Sequence, residues 1–130
     1  MGKIIDVLTT NAPVPTGHYS QAMIFENFIF ISGQLPIKPH SGEKIKGSIE
    51  EQTLQSLRNI KEILEAAGGN LNNVIKTTVY ITDIKLWDRV NKVYSEFFGA
   101  HKPARAVVPI KELHFGFNVE IEAIGIINNH

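Results

Sequence analysis

The chain has 130 residues, 43% hydrophobic and 20% charged, a length and balance that suit a single globular domain over residues 1–130. Lys+Arg 13 equals Asp+Glu 13, so the net charge is zero and no electrostatic footprint for nucleic acid or anionic lipid is expected. The absence of cysteine excludes disulfides, thiolate metal sites and a cysteine nucleophile. The first ten residues are too short and polar for a signal peptide and no apolar run could span a membrane, so a soluble cytoplasmic protein is expected.

Residues 3–8 are a short apolar run and read as a first strand. Residues 11–17 hold Pro13, Pro15 and Gly17 and read as a loop. Residues 18–25, with Tyr19, Ala22, Ile24 and Phe25, read as a second strand, Glu26-Asn27 as a tight turn, and residues 28–32 as its hairpin partner. Residues 35–47 carry Pro36, Pro39, Gly42 and Gly47 and read as a loop. Ser48 and Glu51 then have capping-box spacing. Leu54, Leu57, Ile60, Ile63, Leu64 and Ala67 recur at helical spacing, which predicts a helix over 49–67 that stops at Gly68-Gly69. Its other side, with Gln52, Gln55, Arg58, Asn59, Lys61, Glu62 and Glu65, is assigned to solvent.

Residues 73–81 are β-branched and alternate, so they read as a strand; Thr82-Asp83 offers an N-cap. Leu86, Trp87, Val90, Val93, Tyr94, Phe97 and Phe98 predict a second amphipathic helix ending at Gly99. Residues 104–108 are a strand with a proline near each end, residues 111–118 a connection, and a last strand runs from Val119 to about Ile127. Residues 128–130 are tail. The order β-β-β-α-β-α-β-β predicts an α+β domain with both helices on one face of the sheet. Tyr80, Ile124, Ile126 and several of Phe25, Phe28 and Phe30 cannot all lie beneath two helices. The surplus apolar face predicts a symmetric oligomer with packed sheets; a closed barrel-like monomer competes.

Chemistry-bearing residues are few. His18, His40, His101, His114 and His130 form no HxH or HExxH pattern, so they read as surface residues and no metal site is expected. The glycines lack phosphate-loop and dinucleotide spacings, and Ser32-Gly33 has the look of a turn, not a nucleophile elbow. Glu120 and Glu122 share one face of the last strand, by default a solvated or salt-bridged edge. Arg105, near a strand start on an apolar segment, is either a surface residue or a fixed cation facing a pocket.

A set of motifs changes these weights. Asn11-Ala12-Pro13, Gly17-His18-Tyr19-Ser20-Gln21 and Ile31-Ser32-Gly33-Gln34-Leu35-Pro36 are followed by Ala66-Ala67-Gly68 and Val74-Ile75-Lys76-Thr77-Thr78-Val79-Tyr80. Val90-Asn91-Lys92-Val93-Tyr94-Ser95-Glu96-Phe97-Phe98, Pro103-Ala104-Arg105 and Val119-Glu120-Ile121-Glu122-Ala123 complete the set. In this order they make nearly the whole chain resemble the RidA/YjgF family of reactive-intermediate deaminases. The resemblance implies a chorismate-mutase-like α+β fold with a mixed sheet, and a homotrimer with clefts between subunits. It implies hydrolysis of enamines and imines such as 2-aminoacrylate and 2-iminopropionate to 2-keto acids and ammonia, without a cofactor. Carried over, Arg105 binds the substrate carboxylate, Glu120 orients or activates water, and Tyr19, Ser32, Gly33 and Asn91 line the cleft.

Those residue types suit that chemistry. A guanidinium grips a carboxylate through two parallel hydrogen bonds. An iminium carbon is already electrophilic, so positioning and a carboxylate base suffice. Two departures stand out. Val107 replaces a cysteine common in relatives, and His114 follows Leu113 where relatives often have proline, which leaves substrate preference open; by default His114 is simply exposed. The alternatives are a non-catalytic carboxylate-sensing trimer using the same cleft, RNA cleavage, which the neutral charge disfavours, and a pericyclic enzyme. The last would need cations beyond Arg105, with Arg58 and Arg89 unassigned.

Overall fold

A computed structural model describes residues 2–127. Six strands form one sheet in the order β1-β2-β3-β6-β4-β5. They are β1 (Ile4–Val7), β2 (Ala22–Phe25), β3 (Phe28–Gln34), β4 (Val74–Ile81), β5 (Ala104–Pro109) and β6 (Val119–Ile126). The first three pair as antiparallel neighbours. The last strand then inserts between β3 and β4, antiparallel to both. Only β4 and β5 run parallel, and the helix α2 (Trp87–Phe98) is the crossover that a parallel pair requires. The sheet is therefore mixed, and the element order is the one the sequence predicts.

The long helix α1 (Ile49–Ala66) starts at the predicted capping box: Ser48 Oγ accepts from Glu51 N at 3.1 Å, and Glu51 Oε1 accepts from Ser48 N at 3.2 Å. It stops where Gly68 takes a φ of 90°. Asp83 caps a short turn, Ile84–Leu86, that leads into α2. Both helices cover one face. Ile29 and Ile31 of β3, Val79 and Ile81 of β4, and Val119, Ile121 and Ala123 of β6 are buried there with Leu57, Ile60, Ile63, Leu64, Val90, Tyr94 and Phe98 of the helices.

Two expectations are corrected. The strand expected over 18–25 begins only at Ala22, because Tyr19, Ser20 and Gln21 bond to Gly17, Ser32 and the Thr9–Pro13 loop instead. Gln52, Gln55 and Asn59 do not face solvent; they are buried at 2%, 8% and 1% exposure. Asn59 Nδ2 donates to the carbonyls of Leu35 and Ile37, and Gln55 Nε2 donates to Asn59 Oδ1. Gln52 donates to Gly47 O and accepts from Asn118 N at 2.9 Å. A buried loop backbone needs such partners, and helix periodicity alone cannot distinguish them from solvated amides.

The opposite sheet face is open. Met23, Phe25, Phe28 and Phe30 are 40–47% exposed. Register places Met23, Phe30 and Ile124 in one row and Phe25, Phe28 and Ile126 in the next. The predicted surplus of apolar strand positions is thus present, and a sheet face of this kind marks an interaction surface. Among the described residues no helix is long and apolar enough to cross a membrane.

Candidate active site

Glu120 lies near the start of β6, where β3 bulges beside it. Ile31 pairs with Ala123 and Gln34 with Ile121, so Ser32 and Gly33 together face Glu122, the neighbour of Glu120 on the same side of β6. A bulge bends the strand and opens the ladder, a common device beside sites. Here it lets the Glu120 carboxylate close on the backbone of Gly33, where an added Cβ would stand 2.8 Å from Oε2. Tyr19, Ser32, Gly33, His114 and Glu120 line one cleft of about 470 Å³. Burial pushes the Glu120 carboxyl above the ordinary carboxylate range; the nearby charge of Glu122 adds to this and His114 opposes it. Ser32 Oγ donates to Ser20 O at 2.6 Å, which ties β3 to the Tyr19 segment.

Arg105 is built differently. It pairs with Thr77 across β4 and β5, and Thr77 Oγ1 shares a 2.7 Å hydrogen bond with Tyr94 of α2. The guanidinium therefore lies on the helix face, 4.8 Å from the centroid of Tyr94 and 5.6 Å from that of Trp87. Its Nη1 donates to Asn91 Oδ1 at 2.9 Å. No carboxylate lies within salt-bridge distance among the described residues. Arg105 and Asn91 line a second cavity, of about 430 Å³. Val107 follows on the same side and packs against the core.

Within one chain these two centres do not meet. Tyr80 pairs with Glu120, whereas Thr77, three residues earlier on β4 and on the other face, pairs with Arg105. The chain thus gathers Tyr19, Ser32, Gly33 and Glu120 in one place and Asn91 and Arg105 in another.

The sequence pattern of the family described as Endoribonuclease L-PSP matches residues 9–127. The chain belongs to that family. It is the RidA/YjgF family that the motifs resemble. A RutC family protein of Pyrococcus horikoshii is 53% identical over 118 residues, 91% of this chain and 94% of that one. The human 2-iminobutanoate/2-iminopropanoate deaminase is 42% identical over 120 residues, 92% of this chain and 88% of that one. The crystal structure of E. coli TdcF with bound serine superposes with a TM-score of 0.90 at 35% identity, covering 95% of this chain and 99% of that one.

In this L-PSP chain several site residues escape a reading of the sequence. Gln21, 1% exposed, is the hub of the loop that carries Tyr19. Its amide nitrogen donates to the carbonyls of Thr9 and Pro13, both at 2.9 Å, and its oxygen accepts from Thr9 N at 2.7 Å. The signal was a proline-rich loop with few backbone partners of its own, next to a lone amide. Tyr94 and Trp87 read as helix core, yet they form the surface beneath Arg105. His114 is exposed, as its default reading has it, and also lines the Glu120 cleft together with Phe115.

Proposed function

We propose that the protein is a hydrolytic deaminase of reactive enamines and imines, with 2-aminoacrylate and 2-iminopropionate as representative substrates. The observation that carries this reading is a half-buried Glu120, its proton affinity raised by burial, in a cleft whose chain also holds a guanidinium, Arg105, with no carboxylate within salt-bridge distance among the described residues. The human relative named as a 2-iminobutanoate/2-iminopropanoate deaminase supports it. Since Arg105 and Glu120 lie on opposite faces of one sheet, the complete site takes Arg105 and Asn91 from one subunit and Tyr19, Ser32, Gly33 and Glu120 from its neighbour in a homotrimer.

Arg105 holds the substrate carboxylate through two parallel hydrogen bonds, while the aromatic surface of Tyr94 and Trp87 fixes the guanidinium plane. The 2-imino carbon then faces Glu120. Glu120 takes a proton from water as the water oxygen bonds to that carbon, giving a carbinolamine. The proton passes from Glu120 to nitrogen, the C–N bond breaks as the hydroxyl gives its own proton back to Glu120, ammonia leaves and the keto carbonyl forms. A base with a raised proton affinity suits this exchange near neutral pH. The net charge of zero, without a basic stripe along the chain, disfavours RNA cleavage here. Arg89 is held by Glu50 through contacts of 2.8 and 2.7 Å, so it is not free to join Arg105 on a pericyclic dianion.

The test is release of ammonia and keto acid when the protein is added to a reaction that generates 2-aminoacrylate. Acceleration over the uncatalysed rate is expected. Carboxylate binding without acceleration would leave a sensing trimer.

A further inference from the structure

We propose that Phe115 sets the substrate class of the Glu120 cleft, favouring imines that carry a branched aliphatic or aromatic side chain over the three-carbon imine. This rests on the deaminase reading and adds to it the identity of the side chain.

Phe115 stands out in three ways. It is 51% exposed although large and apolar. Its φ of 61° is one that a non-glycine residue avoids, and such residues gather at sites. It is held from two sides: Lys44 Nζ lies 4.6 Å from the ring centroid, and the buried Phe117 meets it edge-on at 6.0 Å. The ring is thus propped at the cleft rim and not packed into the core.

The rest of the cleft agrees. Pro13, Leu35 and Ile37 line it with Phe115, and Tyr19, Ser32, His114 and Glu120 are among its polar groups. On this chain alone the cleft measures about 470 Å³, and its apolar side chains form a wall beyond the Glu120 carboxylate. With the carboxylate on Arg105 and the reacting carbon at Glu120, a longer side chain extends along the wall of Leu35, Ile37 and Phe115. Burying it there removes apolar surface from water on both partners.

The test compares deamination of imines generated from leucine, phenylalanine and alanine, each rate divided by its uncatalysed rate. The affinities of 4-methyl-2-oxopentanoate, phenylpyruvate and pyruvate are measured by calorimetry alongside. The two larger imines are expected to show a kcat/KM about tenfold or more above the alanine-derived one, the scale on which an apolar pocket discriminates methylene groups. Phe115→Gly, which suits the backbone, should remove most of that preference, read as the ratio of the larger-imine kcat/KM to the alanine-derived one. Phe115→Tyr should keep the preference, and Lys44→Met should weaken it. Equal rates for all three imines, or a preference untouched by Phe115→Gly, overturns the proposal while the deaminase reading stands. Loss of the native assembly in Phe115→Gly also overturns it, by making Phe115 an interface residue. If no imine is turned over, the deaminase reading fails, and equal keto-acid affinities would then remove the role of Phe115 as well.

Discussion

The carboxylate of Glu120 rests on the bare Cα of Gly33, so closely that a methyl group there would stand 2.8 Å from Oε2 and 2.9 Å from Cδ. The atoms that must yield are the end of a flexible side chain, so Gly33→Ala should fold with little change in Tm. What it displaces is the base. A shift on the order of 1 Å in a reacting group can cost about a hundredfold in rate, and Gly33→Ala should lose about that much turnover while pyruvate still binds. Unchanged turnover would separate Glu120 from the chemistry.

Glu120→Gln gives a prediction of opposite sign for activity and stability. Turnover should fall by about 10²–10⁴, the range for loss of a positioned base. Stability at neutral pH should rise. Burial raises the folded-state pKa of Glu120, with Glu122 adding to the rise and His114 opposing it, so the fold favours the neutral form. That contribution is full below the ordinary carboxylate pKa and is lost as pH climbs through the raised value. The gain from glutamine should therefore be present at pH 7 and fade on acidification, and thermal melts across pH 4–8 would read it. Wild-type activity should fall on the acid side as Glu120 takes up its proton, above the ordinary value of 4.5.

Most of the architecture was legible because it is periodic. The capping box, the Leu57–Ile60–Leu64 stripe and the alternation of Val119, Ile121 and Ala123 each state which side is buried. What periodicity could not convey is pairing between distant segments. The β3 bulge at Ser32 and Gly33 exists only against β6. The separation of Arg105 from Glu120 follows from strand register, which no local pattern encodes. Polar residues gave the other misses: the same amide that looks solvated on a helical wheel is, at Asn59, the anchor of a loop more than twenty residues away in sequence.

Assembly can be tested on the open face. Phe30 is 47% exposed between Met23 and Ile124. A trimer that packs three such faces together would bury these rows, and a carboxylate placed among them has no partner there. Phe30→Glu should convert a mass of three chains to that of one chain at micromolar concentration, with the circular dichroism of the fold retained. It should abolish deamination too, because each cleft would lose its neighbour's Arg105. A wild-type protein that already scatters as a single chain would refute the shared cleft.

The most direct test of that cleft mixes two inactive parents. Arg105→Ala alone should lose about a hundredfold or more in kcat/KM, since the carboxylate loses its charge partner and each 1.4 kcal/mol is tenfold. Arg105→Lys should recover only part, because an ammonium lacks the two-pronged fork. Glu120→Gln is inactive for the separate reason given above. In a cyclic trimer whose sites each draw Glu120 from one subunit and Arg105 from the next, denaturing the two variants together and refolding them at equal ratio restores both intact halves at about one quarter of the clefts. Activity near a quarter of wild type is the expected result, against almost none in either parent refolded alone. A site completed within a single chain would give no recovery, since no chain in the mixture carries both side chains.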